Sequence, residues 1–112
     1  MRRSVALAAL LLVAGQAYAD YKYSYRKGVE ALDRKRWDDV VRHMREAVAD
    51  NPTEGERLKL YGLRFEVYLP HFYLGAAYLN QGHCDLAVKA FETSRSQGAI
   101  RSHPKYAELL DG

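Results

Sequence analysis

The stretch His71-Phe72-Tyr73-Leu74-Gly75-Ala76-Ala77-Tyr78, followed by Gly82-His83-Cys84-Asp85-Leu86-Ala87 and then by Phe91, decides the fold of this chain. It is an apolar helical pattern with a glycine inside it, a short polar break, and a second helical pattern. An earlier segment has the same layout. Tyr21, Tyr25, Val29 and Leu32 recur on one face of a helix predicted over residues 20–32. Gly28 sits inside that helix, where it costs roughly 1 kcal/mol against alanine and therefore needs a packing reason. In a helical hairpin, a residue without a side chain lets the partner helix come close.

Asp33-Arg34-Lys35-Arg36 forms the polar turn, and a second helix is predicted over residues 37–49. Its apolar stripe is Val40, Val41, Met44, Ala47 and Val48. Asn51-Pro52 ends it, because proline disfavours helical backbone at the residue before it. In the later copy, Gly98 reads as a helix C-terminal glycine. His103-Pro104 then restarts a short helix carrying Tyr106, Leu109 and Leu110. Placed after the last hairpin, this segment is expected to cover the exposed end of a helical stack.

The two copies resemble the tetratricopeptide (TPR) signature L-G-x2-Y…A-x3-F. On that resemblance the repeat positions are Gly28, Val40, Met44, Ala47 and Pro52 in the first copy. In the second they are Gly75, Tyr78, Ala87 and Phe91. The match departs from the family at several points. Ser24 stands where the leading tryptophan belongs, and Trp37 stands where the second helix often begins with tyrosine. Cys84 replaces that aromatic in the second copy, and Ser94 replaces its second alanine. The glycines are 47 positions apart, whereas the family repeat is about 34 residues.

The implied architecture is all-α: two antiparallel helical hairpins of TPR-like helix-turn-helix type and a C-terminal capping helix, with a partly extended insert between repeats. Repeat one covers residues 21–52, the insert 53–69, repeat two 70–98 and the capping helix 103–110. Arg64-Phe65-Glu66-Val67-Tyr68-Leu69 alternates polar and apolar residues, which suits an extended segment with one covered face. The insert could be an ordered loop packing Phe65 and Val67 on the helices, a continuation of helix, or a flap over a ligand. Two repeats fall short of the three or more that a solenoid usually needs. The insert and cap must then add burial, or the chain self-associates, or it is a module of something larger.

Residues 1–19 read as a secretory signal peptide: Arg2 and Arg3, an apolar run over residues 5–14, then Ala17-Tyr18-Ala19 before Asp20. The run is too short to span a bilayer, which takes about 20 apolar residues. No later segment is long enough either, so no membrane span is expected after cleavage. The expected location is outside the cytoplasm, periplasmic or extracellular, with the bacterial periplasm favoured. Arg2 and Arg3 are two of the 17 basic residues, so residues 20–112 carry 15 basic against 14 acidic side chains. That near-neutral balance gives no sustained basic face for nucleic acid.

No paired carboxylates, phosphate loop or nucleophile elbow is present, so the chain is not expected to be an enzyme. His71, His83, Cys84, Asp85 and His103 lack the tight spacing of a zinc site, so neither a metal nor another cofactor is expected. Neighbouring residues on a helix do not face each other, which keeps His83 from serving Cys84 as a base. On the resemblance, the Cys84 position packs between two helices. Burial is therefore the leading expectation for this single cysteine, with an intermolecular disulfide or a reactive thiol as alternatives.

The resemblance places a partner on the concave face made by the first helix of each repeat. That face would carry Tyr25, Val29 and Leu32 from the first copy and Phe72, Ala76, Leu79 and Asn80 from the second. Val29 and Ala76 stand where relatives that clamp a carboxylate carry asparagine, which disfavours such a clamp. The expected function is an exported, non-enzymatic scaffold that binds a protein or peptide through an apolar groove. The same faces could instead be core, or could join two copies in a self-associating structural homodimer.

Overall fold

The computed structural model describes residues 20–61 and 64–111; the signal peptide expected over residues 1–19 lies outside them. The element order is α1 (Tyr21–Asp33), α2 (Trp37–Asp50), β1 (Gly55–Tyr61), β2 (Arg64–Tyr68), α3 (Pro70–Asn80), α4 (Cys84–Gln97), a 3-10 helix (Ala99–Ser102) and α5 (Pro104–Asp111). The domain is mostly helical, as expected. α1 packs on α2, α3 on α4, and α2 on α3, so the two hairpins stack side by side.

Local sequence accounts for the helix ends. Asp20 caps α1: its backbone is extended and its carboxylate accepts from Lys22 N at 3.0 Å. Asp38 and Asp39 lie in the first turn of α2, where the helix dipole favours negative charge. Pro70 opens α3 at a position whose missing N–H costs nothing. Gly98 closes α4 in the left-handed conformation, at φ 84°.

The two hairpin turns are built alike. In the first, Lys35 N donates to Leu32 O and Arg36 N to Ala31 O. In the second, Gly82 N donates to Leu79 O and His83 N to Tyr78 O. Each pair lies 47 positions from its counterpart, so the internal repeat seen in the sequence is a repeat of structure. The turn requires a left-handed residue, supplied by Gly82 at φ 84° and by Lys35 at φ 56°. A residue with a Cβ is strained there by about 1 kcal/mol or more. Lys35→Gly is therefore expected to stabilise the domain by about that amount, read as a rise in the urea midpoint at unchanged slope.

The two helical glycines do what Gly28 was expected to do. A Cβ on Gly28 would lie 2.6 Å from Met44 Cε, and one on Gly75 only 2.4 Å from the Phe91 ring. Close approach buries Val40, Met44, Ala47 and Ala77 completely. Tyr25, Tyr68 and Leu74 join them in the main core. Leu69, Phe72, Ala99 and Ile100 form a second, smaller core at the C-terminal end.

The insert is a β-hairpin. β1 and β2 pair antiparallel, with Gly55 opposite Tyr68, Leu58 opposite Glu66, Lys59 opposite Phe65 and Tyr61 opposite Arg64. The ladder is irregular between Gly55 and Leu58 and again between Lys59 and Tyr61. A continuation of helix is thus ruled out for this segment. An isolated two-stranded hairpin is marginal in water, so its base is anchored. Tyr68 is fully buried, donates to Asn51 O at 2.8 Å, and meets the rings of Tyr21 and Tyr25 edge-on at 5.0 and 4.8 Å. Val67 is partly buried against the smaller core, whereas the packing expected of the Phe65 side chain lies outside what is described.

Two expectations need correction. Cys84 is exposed and unpaired, not buried. Its counterpart 47 positions earlier, Trp37, is packed against the core, because the second hairpin closes over the start of α2 and Gln81 Nε2 donates to Asp38 Oδ1. Among the described residues, α4 is followed by the 3-10 helix and α5, and neither closes over its start as the second hairpin closes over α2. Nor does α5 cover the outer face of α4: Leu86 and Val88 remain exposed there, Val88 at 52%. The 3-10 helix buries Ala99 and Ile100 against Leu69 and Phe72, and α5 leans toward α3 through Tyr106 stacked on Phe72 at 4.9 Å.

Candidate functional site

The face made by α1 and α3 is not an open groove along its length. Tyr25 and Phe72 are core residues. Val29 and Leu32 are half-buried against that core, and Ala76 is half-buried. Leu79, 54% exposed, and Asn80 lie at the far end of α3, where Asn80 Nδ2 donates back to Ala76 O at 2.8 Å. The hairpin base and α5 narrow the other end, and what they leave is a cavity of about 360 Å³.

Each wall comes from a different element. α1 supplies Tyr25 and Val29, and α3 supplies Tyr73. The exit of the hairpin supplies Val67 and Leu69, and the C-terminal segment supplies His103 and Tyr106. Tyr25 is held by both partners of its hydroxyl, which donates to Val67 O at 2.9 Å and accepts from Leu69 N at 3.3 Å. The Tyr73 ring packs beside those of Tyr25 and Tyr106, with centroids 6.0 and 6.5 Å away. Burial first, then the neighbouring phenols, push Tyr25 and Tyr73 well above the ordinary tyrosine range, so both remain neutral donors.

Of the residues expected on the binding face, the structure gathers Tyr25 and Val29 at this cavity and leaves Leu32, Ala76, Leu79 and Asn80 off its walls. Phe72 stands behind it as part of the ring stack with Tyr106. Sequence reading did not assign Val67, Leu69, Tyr73, His103 or Tyr106 to the site. Its only signal was the abundance of tyrosine, nine in 112 residues.

The cavity depends on one residue outside it. Glu54 precedes β1, is only 6% exposed, and spans two helices with its carboxylate. Oε2 accepts from His71 N at 2.8 Å and Phe72 N at 3.3 Å, and Oε1 accepts from Ser94 Oγ at 2.7 Å. It thus caps the start of α3, whose own preceding residue, Leu69, makes no side-chain cap. Glu54 N donates to Gln97 Oε1, and Gln97 Nε2 donates to Pro52 O at 3.0 Å. These bonds fix both the hairpin base and α3, two of the cavity's walls. Burial holds the Glu54 carboxyl above its ordinary value, opposed by its hydrogen bonds from Ser94 and the α3 backbone.

Other surface features are less enclosed. A hollow of about 510 Å³ lies over Gly82, His83, Cys84, Asp85 and Leu86, but five consecutive residues of one exposed turn give it no opposing wall. Among the described residues, no group of three His, Cys, Asp or Glu side chains could hold a metal ion, and no helix is long and apolar enough to cross a membrane. Comparison with protein-family models, with curated proteins and with solved structures finds no match to this chain.

Proposed function

We propose that this protein is an exported, non-enzymatic interaction module of TPR-like design, binding a protein or peptide through the face formed by α1 and α3. The observation that carries the reading is the cavity on that face. Its walls come from four separate parts of the chain, and the hairpin and α5 that close it are additions to the repeated hairpins. Concave, mainly apolar hollows with a few fixed polar groups are the common form of recognition sites. An apolar side chain from an extended or helical segment would fill it, with the rest of the segment running toward Leu79 and Asn80 at the exposed end of α3.

The reading is tested by selecting binding peptides from a random display library against the purified protein. Val29 is half-buried at the cavity wall and packs against the core, so Val29→Glu places a charge in the cavity at some cost in packing. Selected peptides are expected to bind the variant at least about tenfold more weakly, a change of about 1.4 kcal/mol, measured at a temperature where circular dichroism shows the variant folded. Peptides that bind both proteins equally would refute the assignment of this face.

A further inference from the structure

α4 repeats α2, yet the two helices are covered differently. Trp37, Val41 and Val48 share one stripe of α2 and are partly buried against a core that includes Leu74 and Ala77 of α3. Their counterparts 47 positions on are Cys84, Val88 and Arg95 of α4, and all three are exposed, Val88 at 52%. The stripe that receives a further helix in the first copy is open in the second.

We propose that this stripe of α4 pairs antiparallel with the same stripe of a second copy of this chain. The inference concerns α4 alone and does not rest on partner binding at the face of α1 and α3.

The charges of the chain select this occupant. If a second copy extended the stack head to tail, its α1 would take the place on α4 that α3 takes on α2. Leu74 and Ala77, buried on α3, correspond in α1 to Lys27 and Glu30, which pair at 3.6 Å on the surface. Seating α1 there would strip both charges of water, and their mutual attraction does not offset that cost. α4 matches itself better. Asp85, Lys89, Glu92 and Arg95 are exposed and alternate in sign along the helix. Turned antiparallel about a two-fold axis near residue 90, the series meets its own reverse. Asp85 comes opposite Arg95 of the second copy, and Lys89 opposite Glu92, with Val88 of both copies between them. Arg95 also interacts within its own chain, and its exposure leaves it able to reach a second carboxylate. A parallel pair in register would set each charge against its like. A helix rises about 1.5 Å per residue, so the two Cys84 residues lie about 18 Å apart along the axis, too far for a disulfide. The pairing is therefore non-covalent. One helix of 14 residues from each copy makes a small contact, so it is also weak and sensitive to charge.

The test is sedimentation equilibrium of the purified protein over a series of concentrations, at low salt and with reductant present. A reversible equilibrium between monomer and dimer is expected, shifting to monomer as salt is added. Asp85→Arg and Arg95→Asp are each expected to weaken the dimer at least about tenfold. The double reversal is expected to restore it to within about threefold of the unaltered protein. Restoration separates the contact from folding, because damage done to the fold by two substitutions would not cancel. Val29→Glu, on the other face, is expected to leave the dimer intact. A monomer at every concentration would overturn the pairing, as would a dimer indifferent to the single reversals or a double reversal no tighter than they are. So would a dimer that forms only without reductant, or one that Val29→Glu abolishes. Each of these results leaves the binding of selected peptides at the face of α1 and α3 to be decided by its own experiment.

Discussion

Glu54→Ala is expected to destabilise the domain by about 3 kcal/mol. The carboxylate satisfies two backbone N–H groups at the start of α3 and the hydroxyl of the fully buried Ser94. Alanine leaves all three without their acceptor, and each buried donor so orphaned costs about 1–3 kcal/mol, less where water can enter. Urea denaturation followed by far-ultraviolet circular dichroism would measure the loss. Glu54→Gln keeps one carbonyl for α3 and can donate to Ser94 Oγ, so its cost should be about 1 kcal/mol. A loss in Glu54→Ala no larger than that of Glu54→Gln would show that the network contributes little.

The same residue sets a pH dependence. The Glu54 carboxyl titrates above its ordinary 4.5 because burial penalises its charge. Between that value and the raised one, the folded chain binds more protons than the unfolded chain. Stability contributed by this group is therefore greatest below the ordinary value. It declines as pH rises through the raised one and is level above it. His71 faces the carboxylate and opposes the shift. Subtracting the Glu54→Gln stability curve from that of the unaltered protein isolates the slope, which should be negative with rising pH. A positive difference slope would mean the charged carboxylate is favoured by folding.

Gly75→Ala should cost about 1–3 kcal/mol, and Gly28→Ala clearly less, although both add one methyl group to a helix. The difference lies in what each methyl meets. At Gly28 it meets the end of Met44, an unbranched side chain that can turn aside. At Gly75 it meets ring atoms of Phe91, with three of them within 2.9 Å, and a ring cannot bend. It can move only by pushing α3 and α4 apart or by disturbing Phe72, whose ring lies 5.9 Å away. Alanine also gains up to about 1 kcal/mol of helix propensity over glycine, which offsets much of the cost at Gly28 but not at Gly75. Equal urea midpoints for the two variants would contradict this account.

The helices were legible because their signals are local. The stripes of α1 and α2, the polar turns and the left-handed Gly98 depend on residues within a few positions of one another. The alternation through Val67 marked an extended segment, but not its partner strand, since pairing also needs the register that β1 supplies. Cys84 was misjudged for a related reason. Its position in the repeat suggests burial, yet burial requires a following element, and the chain places α5 against α3.

By itself, the sequence determined two helical hairpins, the glycines at which their helices touch, and the repetition of one by the other. These follow from side-chain period and from backbone conformations open to few residues. Only the tertiary structure decided that Glu54 would cap a helix it precedes by a whole hairpin, and that Tyr25, Tyr73 and Tyr106 would share one cavity. Those outcomes rest on contacts such as Glu54 to Ser94 and Tyr25 to Val67, 40 and 42 positions apart. No local pattern encodes such a meeting, because it depends on how the insert and the last helix fold back over surfaces that the hairpins leave uncovered.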